Sequence, residues 1–285
     1  MPMACCAPAC SMTCCAPLMP TARSTFVPRP ASGVAGWAWL PPHARSALSA
    51  GGGFSDRISF DASNRTGILA ANNEALGILG GTFDPIHFGH LRLAEECADS
   101  LKLGQVRLVP AGKPWQRSGL IAPIEHRIEM VRLAVESNPR FKVDARESDS
   151  SGPTYTVDTL ASMRREFGAS RPLVMIVGSD QFLNLPTWSR WQKLFEFAHV
   201  AVARRANEPF DLGQLPAALA AMVTQRLTND INALAEPAGR VFSIEMTPLK
   251  ISSSQIRTLV RTRVSARYLL PAAVYEYILK HGLYQ

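Results

Sequence analysis

Two histidines three residues apart, His87 and His90, close the stretch GGTFDPIHFGH, which opens on Gly80 and Gly81. The glycines follow an apolar run, Ala75 to Leu79, and let a ligand approach backbone amides that a side chain would shield. A helix beginning just after them turns its positive end toward the same place. At a spacing of i and i+3 the two imidazoles project from its first turn on one side. Amides, a helix amino terminus and paired imidazoles gather negative charge, which suits phosphate chemistry. A lone histidine is more often a capping or solvated residue, so the stretch as a unit is the specific signal. It matches neither G-x-G-x-x-G nor a Walker loop with its lysine, which argues against a dehydrogenase and a P-loop kinase.

The elements that must hold these residues follow from hydrophobic periodicity. From Ala75 onward the pattern predicts strands at Leu76 to Leu79, Val106 to Val109, Phe141 to Val143, Leu173 to Val177, Val200 to Ala203 and Val241 to Ile244. Helices are predicted between them, at Gly89 to Leu101, Ile124 to Ser137, Val157 to Phe167, Trp188 to Phe197 and Pro216 to Leu227. Leu91, Ala94, Ala98 and Leu101 share one face of the first helix. This alternation implies an α/β fold, a Rossmann-like doubly wound parallel sheet with right-handed crossovers. Ligands of such sheets sit at the carboxyl ends of the strands, near the switch in strand order. The glycine-histidine stretch lies at one such end.

Composition agrees. The chain has 285 residues, 47% of them hydrophobic, and is read as one catalytic domain with an appendage. Its 30 Lys and Arg stand against 23 Asp and Glu, a formal charge of +7, which favours anionic ligands. The basic residues are spread thinly rather than clustered among aromatics, so phosphate-bearing small molecules are expected, and no nucleic acid. No apolar run approaches the roughly 20 residues of a membrane span. A soluble, cytoplasmic protein with no membrane contact is therefore expected.

Residues 1–73 read as a leader rich in Ala, Pro, Ser, Gly and Arg, with Asp56 and Asp61 as its acids and no sustained period. Such a segment buries too little apolar surface to offset its ordering entropy, so a disordered N-terminal extension is predicted, followed by one domain over residues 74–285. An organellar transit peptide and a start codon chosen too far upstream stay open beside the plain tail. Cys5, Cys6, Cys10, Cys14 and Cys15 crowd this leader, whereas a secreted disulfide framework would spread them through the fold. A reduced tail is preferred to a zinc site built on Cys6, Cys10 and Cys14. Cys97 is read as a buried small hydrophobe.

The stretch from Gly80 to His90 resembles the signature of the nucleotidyltransferase superfamily that carries an H-x-G-H motif. ISSSQIR, Ile251 to Arg257, resembles its second signature and comes in the expected order. Within that superfamily, five further segments are similar to bacterial nicotinate-nucleotide adenylyltransferases. They are VPAGKPWQR from Val109, HRIEMVRLA from His126, GPTYTVDTL from Gly152, GSDQFLNLPTWSRWQKL from Gly178 and YLLPAAVYEYILKHGLY from Tyr268. The resemblance covers Ala75 to Gln285 and none of the leader. It implies a nucleotidylyltransferase fold. It also implies the joining of nicotinate mononucleotide to ATP, giving nicotinate adenine dinucleotide (deamido-NAD) and pyrophosphate, a step of NAD biosynthesis.

The resemblance also assigns roles. His87, His90 and Arg257 act on the ATP phosphates and the charge that develops in transfer, while Gly80, Gly81, Thr82 and Phe83 hold phosphate through the backbone. Ser252, Ser253 and Ser254 grip the β- and γ-phosphates from across the cleft; as residues ahead of a helix they also read as its caps. Asp180 contacts a ribose hydroxyl of ATP, or caps a helix. Tyr155, Thr156, Trp188, Ser189 and Arg117 form the nicotinate mononucleotide side: Thr156 and Ser189 offer amides to the carboxylate, Trp188 stacks on the ring, and Arg117 supplies a cation for phosphate. Trp191 is read as core. Many relatives carry His-Lys where this chain has Gln116 and Arg117. Magnesium is expected to arrive with ATP, held by phosphate oxygens and water rather than by a protein metal site.

Rival readings stay in view. Phosphopantetheine adenylyltransferase shares the histidine motif, but GPTYTVDTL and LPTWSRW fall outside its pattern. A nicotinamide mononucleotide acceptor is the other alternative within the superfamily. A class I aminoacyl-tRNA synthetase would need a Lys-Met-Ser-Lys-Ser loop. A non-catalytic nucleotide-binding regulator is the reading from another class, and intact His87, His90 and Arg257 argue against it.

Overall fold

The computed structural model describes residues 74–113, 122–148, 152–206 and 210–285. The leader with its cysteines, Gln116 and Arg117 lie outside the described residues.

Six parallel strands form one sheet in the order β3-β2-β1-β4-β5-β6. They are β1 (Leu76–Gly81), β2 (Gln105–Pro110), β3 (Phe141–Val143), β4 (Leu173–Gly178), β5 (His199–Arg205) and β6 (Val241–Met246). All six predicted strands are present, and β1 continues through both glycines. The order reverses between β1 and β4, so this Rossmann-like sheet has its switch point there.

Both faces of the sheet are covered, which is why its strands are near-continuous apolar runs. Alternate residues choose sides. Leu79, Val106, Leu108, Val174 and Ile176 pack with helices α1 (Phe88–Ser100), α2 (Ile124–Val135), α7 (Ser253–Arg261) and α8 (Ala272–Lys280). Leu76, Ile78, Val109, Met175 and Val177 pack with α3 (Thr156–Phe167), α5 (Leu194–Phe197) and α6 (Ala217–Thr224). Ala94, Cys97 and Ala98 make the buried stripe of α1, continued by its C-cap Leu101, with Leu91 half-buried at its edge. No helix among the described residues is long and apolar enough to cross a membrane.

The predicted helix Trp188 to Phe197 does not form as one unit. The chain instead makes single 3-10 turns at Leu185–Thr187 and Trp191–Lys193, then the short α5. Arg190, at φ 52°, occupies the left-handed region, which interrupts any helix. Its guanidinium pairs with Asp158 in the first turn of α3 at 2.6 Å. Tertiary contact overrides local periodicity here: Leu185, Trp191, Leu194 and Phe195 are buried, and Trp188 is left half-buried at the end of a turn. The short helix α4 (Ser179–Leu183) follows β4 directly.

Candidate active site

The loop after β1 is shaped by its own side chains. Phe83 sits at φ 46°, in the left-handed region, with its ring buried. That ring folds back under Gly81, where an added Cβ would lie 2.9 Å from a ring carbon. Glycine is therefore required at 81 by close approach. At Gly80 and at Gly178 on the neighbouring strand, an added Cβ meets no atom within 4 Å. The ends of β1 and β4 thus open onto a cleft at the switch point.

His87 is the N-cap of α1, and His90 is its third residue. The His87 amide donates to His90 Nδ1 at 3.3 Å, and the His90 amide donates to the His87 carbonyl at 2.9 Å. The rings stack with centroids 3.8 Å apart and planes at 22°, and Phe83 meets His90 edge-on at 5.1 Å. Gly89 makes the stack possible, since a Cβ there would come within 3.0 Å of the His87 ring. Burial lowers the His87 pKa from 6.5 to about 4, so the ring is neutral at pH 7. Its Nδ1 is buried and meets no hydrogen-bond partner among the described residues. A buried polar atom in that state is poised for an external partner.

The second stretch docks onto this loop. Arg257 donates through Nη1 to the Asp84 carbonyl at 2.8 Å and through Nη2 to the Ser254 hydroxyl at 3.3 Å. The Ser253 hydroxyl donates to the Pro85 carbonyl at 2.9 Å. Ser252 accepts from the Gln255 amide at 3.1 Å, a plain N-cap of α7. The capping reading thus holds for the Ser252 hydroxyl, and Ser253 acts as a tie between the two stretches; Ser254 is exposed beside Arg257. Glu96 of α1 steadies the approach to α7, accepting from the Thr247 amide at 2.8 Å and the Thr247 hydroxyl at 2.5 Å.

Three polar residues absent from the sequence-based site, Arg127, Asp84 and Tyr284, hold the loop in place. Arg127, 1% exposed, donates to the carbonyls of Thr82 (2.8 Å), Ala111 (2.7 Å), Gly112 (3.2 Å) and Ala122 (3.2 Å). One guanidinium therefore binds the segments after β1 and β2 to the start of α2. The Asp84 carboxylate accepts from the Ala122 amide at 3.2 Å and from the Tyr284 hydroxyl at 2.7 Å. Burial, and then the bond to Asp84, push the Tyr284 pKa upward, so it donates as a neutral phenol.

Across the switch point, no side chain caps α3, whose N-cap is Tyr155 and whose first residue is Thr156. The Arg190–Asp158 pair brings the Trp188–Ser189 segment against this helix start. Tyr155 and Trp188 pack against the same apolar cluster, and the Trp188 indole nitrogen is buried with no partner among the described residues. Beyond the ends of β4 and β5 a cavity of about 300 Å³ is lined by Ser179, Asp180, Phe182, Arg204, Arg205 and Phe210, among others. Arg205 Nη2 lies 3.7 Å from Asp180 there.

Comparison with known proteins agrees with this architecture. Residues 78–259 match the cytidylyltransferase-like family. A probable nicotinate-nucleotide adenylyltransferase of Dechloromonas aromatica is 49% identical over 214 residues, spanning 75% of this chain and 99% of that protein. Its counterpart in Halorhodospira halophila is 47% identical over 210 residues, 73% of this chain and 94% of that one. The chain belongs to the nicotinate-nucleotide adenylyltransferase family. As in that family, it is a nucleotidyltransferase. In fold it is similar to the Plasmodium falciparum nicotinic acid mononucleotide adenylyltransferase complexed with NaAD, at TM-score 0.56, 19% identity, 74% of this chain and 97% of that one.

Proposed function

We propose that this adenylyltransferase moves the adenylyl group of ATP to nicotinate mononucleotide, with the roles set out below. The observation that carries the reading is the junction of the two signatures at the ends of β1 and β4: Arg257 on the Asp84 carbonyl, beside stacked His87 and His90. A phosphate oxygen of the mononucleotide attacks the α-phosphorus in line, the bond to the β-phosphate oxygen breaks, and pyrophosphate leaves. No side chain needs to become a nucleophile; position and charge do the work.

His87, with its buried and unpartnered Nδ1, and His90 meet the triphosphate. Arg257 lies one turn into α7, over the β- and γ-phosphates. The backbone of Gly80 to Phe83 lets phosphate approach closely. Asp180 and its cavity take the ribose and base of ATP, a volume at the lower end of ligand pockets. The uncapped start of α3 at Thr156, with Ser189 beside it, takes the nicotinate carboxylate, Trp188 stacks on the ring, and Tyr155 lines the same wall. Amides at a helix start favour an anion, hence the acid over the amide mononucleotide. Among the described residues no three His, Cys, Asp or Glu side chains group to hold a metal ion. We assign magnesium to the triphosphate, whose phosphate oxygens with water would hold it and where it would supply neutralisation of charge on the leaving group.

Pyrophosphate release with ATP and magnesium tests the assignment, with nicotinate mononucleotide, nicotinamide mononucleotide and phosphopantetheine as acceptors. Release with the first is expected to dominate. Release with only another acceptor would overturn the substrate, and silence with all three would favour a regulator.

A further inference from the structure

We infer that the carboxyl-terminal tail is part of the catalytic apparatus, with Tyr284 a positioning residue that acts through Asp84. The inference rests on the adenylyl-transfer reading above for its kinetic test. After α8 the chain closes a Schellman turn: the Gly282 amide donates to the Leu279 carbonyl at 3.3 Å and the Leu283 amide to the Ile278 carbonyl at 3.0 Å. Gly282 takes φ 61° and Tyr284 φ 66°, both left-handed, so the tail doubles back and drives the Tyr284 side chain inward to 7% exposure. Its hydroxyl ends 2.7 Å from Asp84 Oδ1, although 200 residues separate the two in sequence.

Asp84 is where the restraints on the phosphate loop converge. Its carboxylate takes the Tyr284 hydroxyl and the Ala122 amide, and its carbonyl takes Arg257. It adjoins Phe83, whose left-handed backbone persists only under external restraint. Three residues further on stands His87. A single hydrogen bond from the chain end therefore helps fix both the histidine-bearing loop and the carbonyl that orients Arg257.

Tyr284→Phe keeps the ring and removes only the hydroxyl. Displacing a reacting group by a fraction of an ångström lowers kcat, and a fall of about tenfold is expected, with KM for ATP held within about twofold. Asp84→Asn, whose amide oxygen can still accept both bonds, is expected to lower kcat less than Asp84→Leu does, and Tyr284→Phe added to Asp84→Leu is expected to lower it no further. Hydrogen exchange of residues 82–91 supplies a readout independent of substrate, expected to rise about tenfold in Tyr284→Phe while β4 and β5 stay protected. Unchanged kcat and unchanged exchange in Tyr284→Phe would overturn the inference, as would a loss of kcat recovered in full on cooling the variant. Should Tyr284→Phe be insoluble, Asp84→Asn and Asp84→Leu carry the same comparison, and equal kcat in the two would overturn it. If the wild type forms no dinucleotide, the functional reading fails and the exchange measurement alone decides this one.

Discussion

Replacing Gly89 with alanine adds one methyl group to the second residue of α1, and the structure fixes where it goes. The new Cβ would sit 3.0 Å from Cε1 and Nδ1 of His87 and 3.7 Å from the Ile251 carbonyl oxygen. Ordinary contacts begin near about 3.4 Å, so the His87 ring must move by a few tenths of an ångström. It has little room, being 5% exposed and stacked on His90 at 3.8 Å. In stability the substitution is nearly balanced. Alanine in a helix gains up to about 1 kcal/mol over glycine, and crowding a ring off its rotamer costs about the same. The melting temperature is expected to stay within about 5 °C of wild type. Turnover is not balanced. If about 1 Å of misplacement costs about a hundredfold, half that distance costs about tenfold, or about 1.4 kcal/mol in the barrier. Steady-state pyrophosphate release and a thermal melt on the same preparation check both numbers. Wild-type kcat in a well-folded Gly89→Ala protein would refute the claim that His87 must hold its place against the phosphates.

Other consequences follow from the same geometry. Because folding holds the His87 pKa near 4 against 6.5, the unfolded chain binds a proton first on acidification. Stability should therefore fall as pH drops from about 6.5 toward 4, by up to about 3 kcal/mol from this residue. Burial lowers the His199 pKa too, adding a loss of the same sign. Urea unfolding of wild type and His87→Gln at pH 7 and pH 5 measures the His87 share; equal losses in both would deny it. Arg127→Met leaves four carbonyls without their guanidinium. It should cost about 3–5 kcal/mol and on the order of 10 °C in a melt, with Arg127→Lys recovering only part because a point donor cannot span the fork. Trp188→Ala should raise KM for nicotinate mononucleotide about tenfold or more and leave KM for ATP within about twofold. His90→Ala should lower turnover by orders of magnitude with the sheet intact, which circular dichroism and a rate assay test together.

What could be read from the sequence and what could not divide along a physical line. Doubly covered parallel strands are unbroken apolar runs, and LVMIVG over β4 announces itself without help from the rest of the chain. His87 and His90 were legible for a similar reason: loop, glycines and helix start lie within one short stretch, and local geometry makes the pair. The docking of Arg257 on Asp84 spans 173 residues, and only the resemblance, not any spacing, placed the two stretches at one cleft. Trp188 to Phe197 failed as a helix because its periodicity was real but its partner was elsewhere, in Asp158 of α3.

Arg127 is the instructive omission. In HRIEMVRLA it precedes Met130 and Val131 by three and four residues, which puts a cation on the buried stripe of its own helix. A buried arginine cannot be left unpaired without several kcal/mol of cost, so that position alone implied a cluster of acceptors waiting for it. Read so, the sequence would have pointed to loop carbonyls beneath the histidine-bearing loop, since the helix starts at the carboxyl end of the sheet where those loops lie. Asp84 and Tyr284 carried no such mark, one preceding a proline in a turn and the other next to the last residue. Their meeting depends on the left-handed turn after α8, and a chain end that buries a phenol against a carboxylate declares itself only in three dimensions.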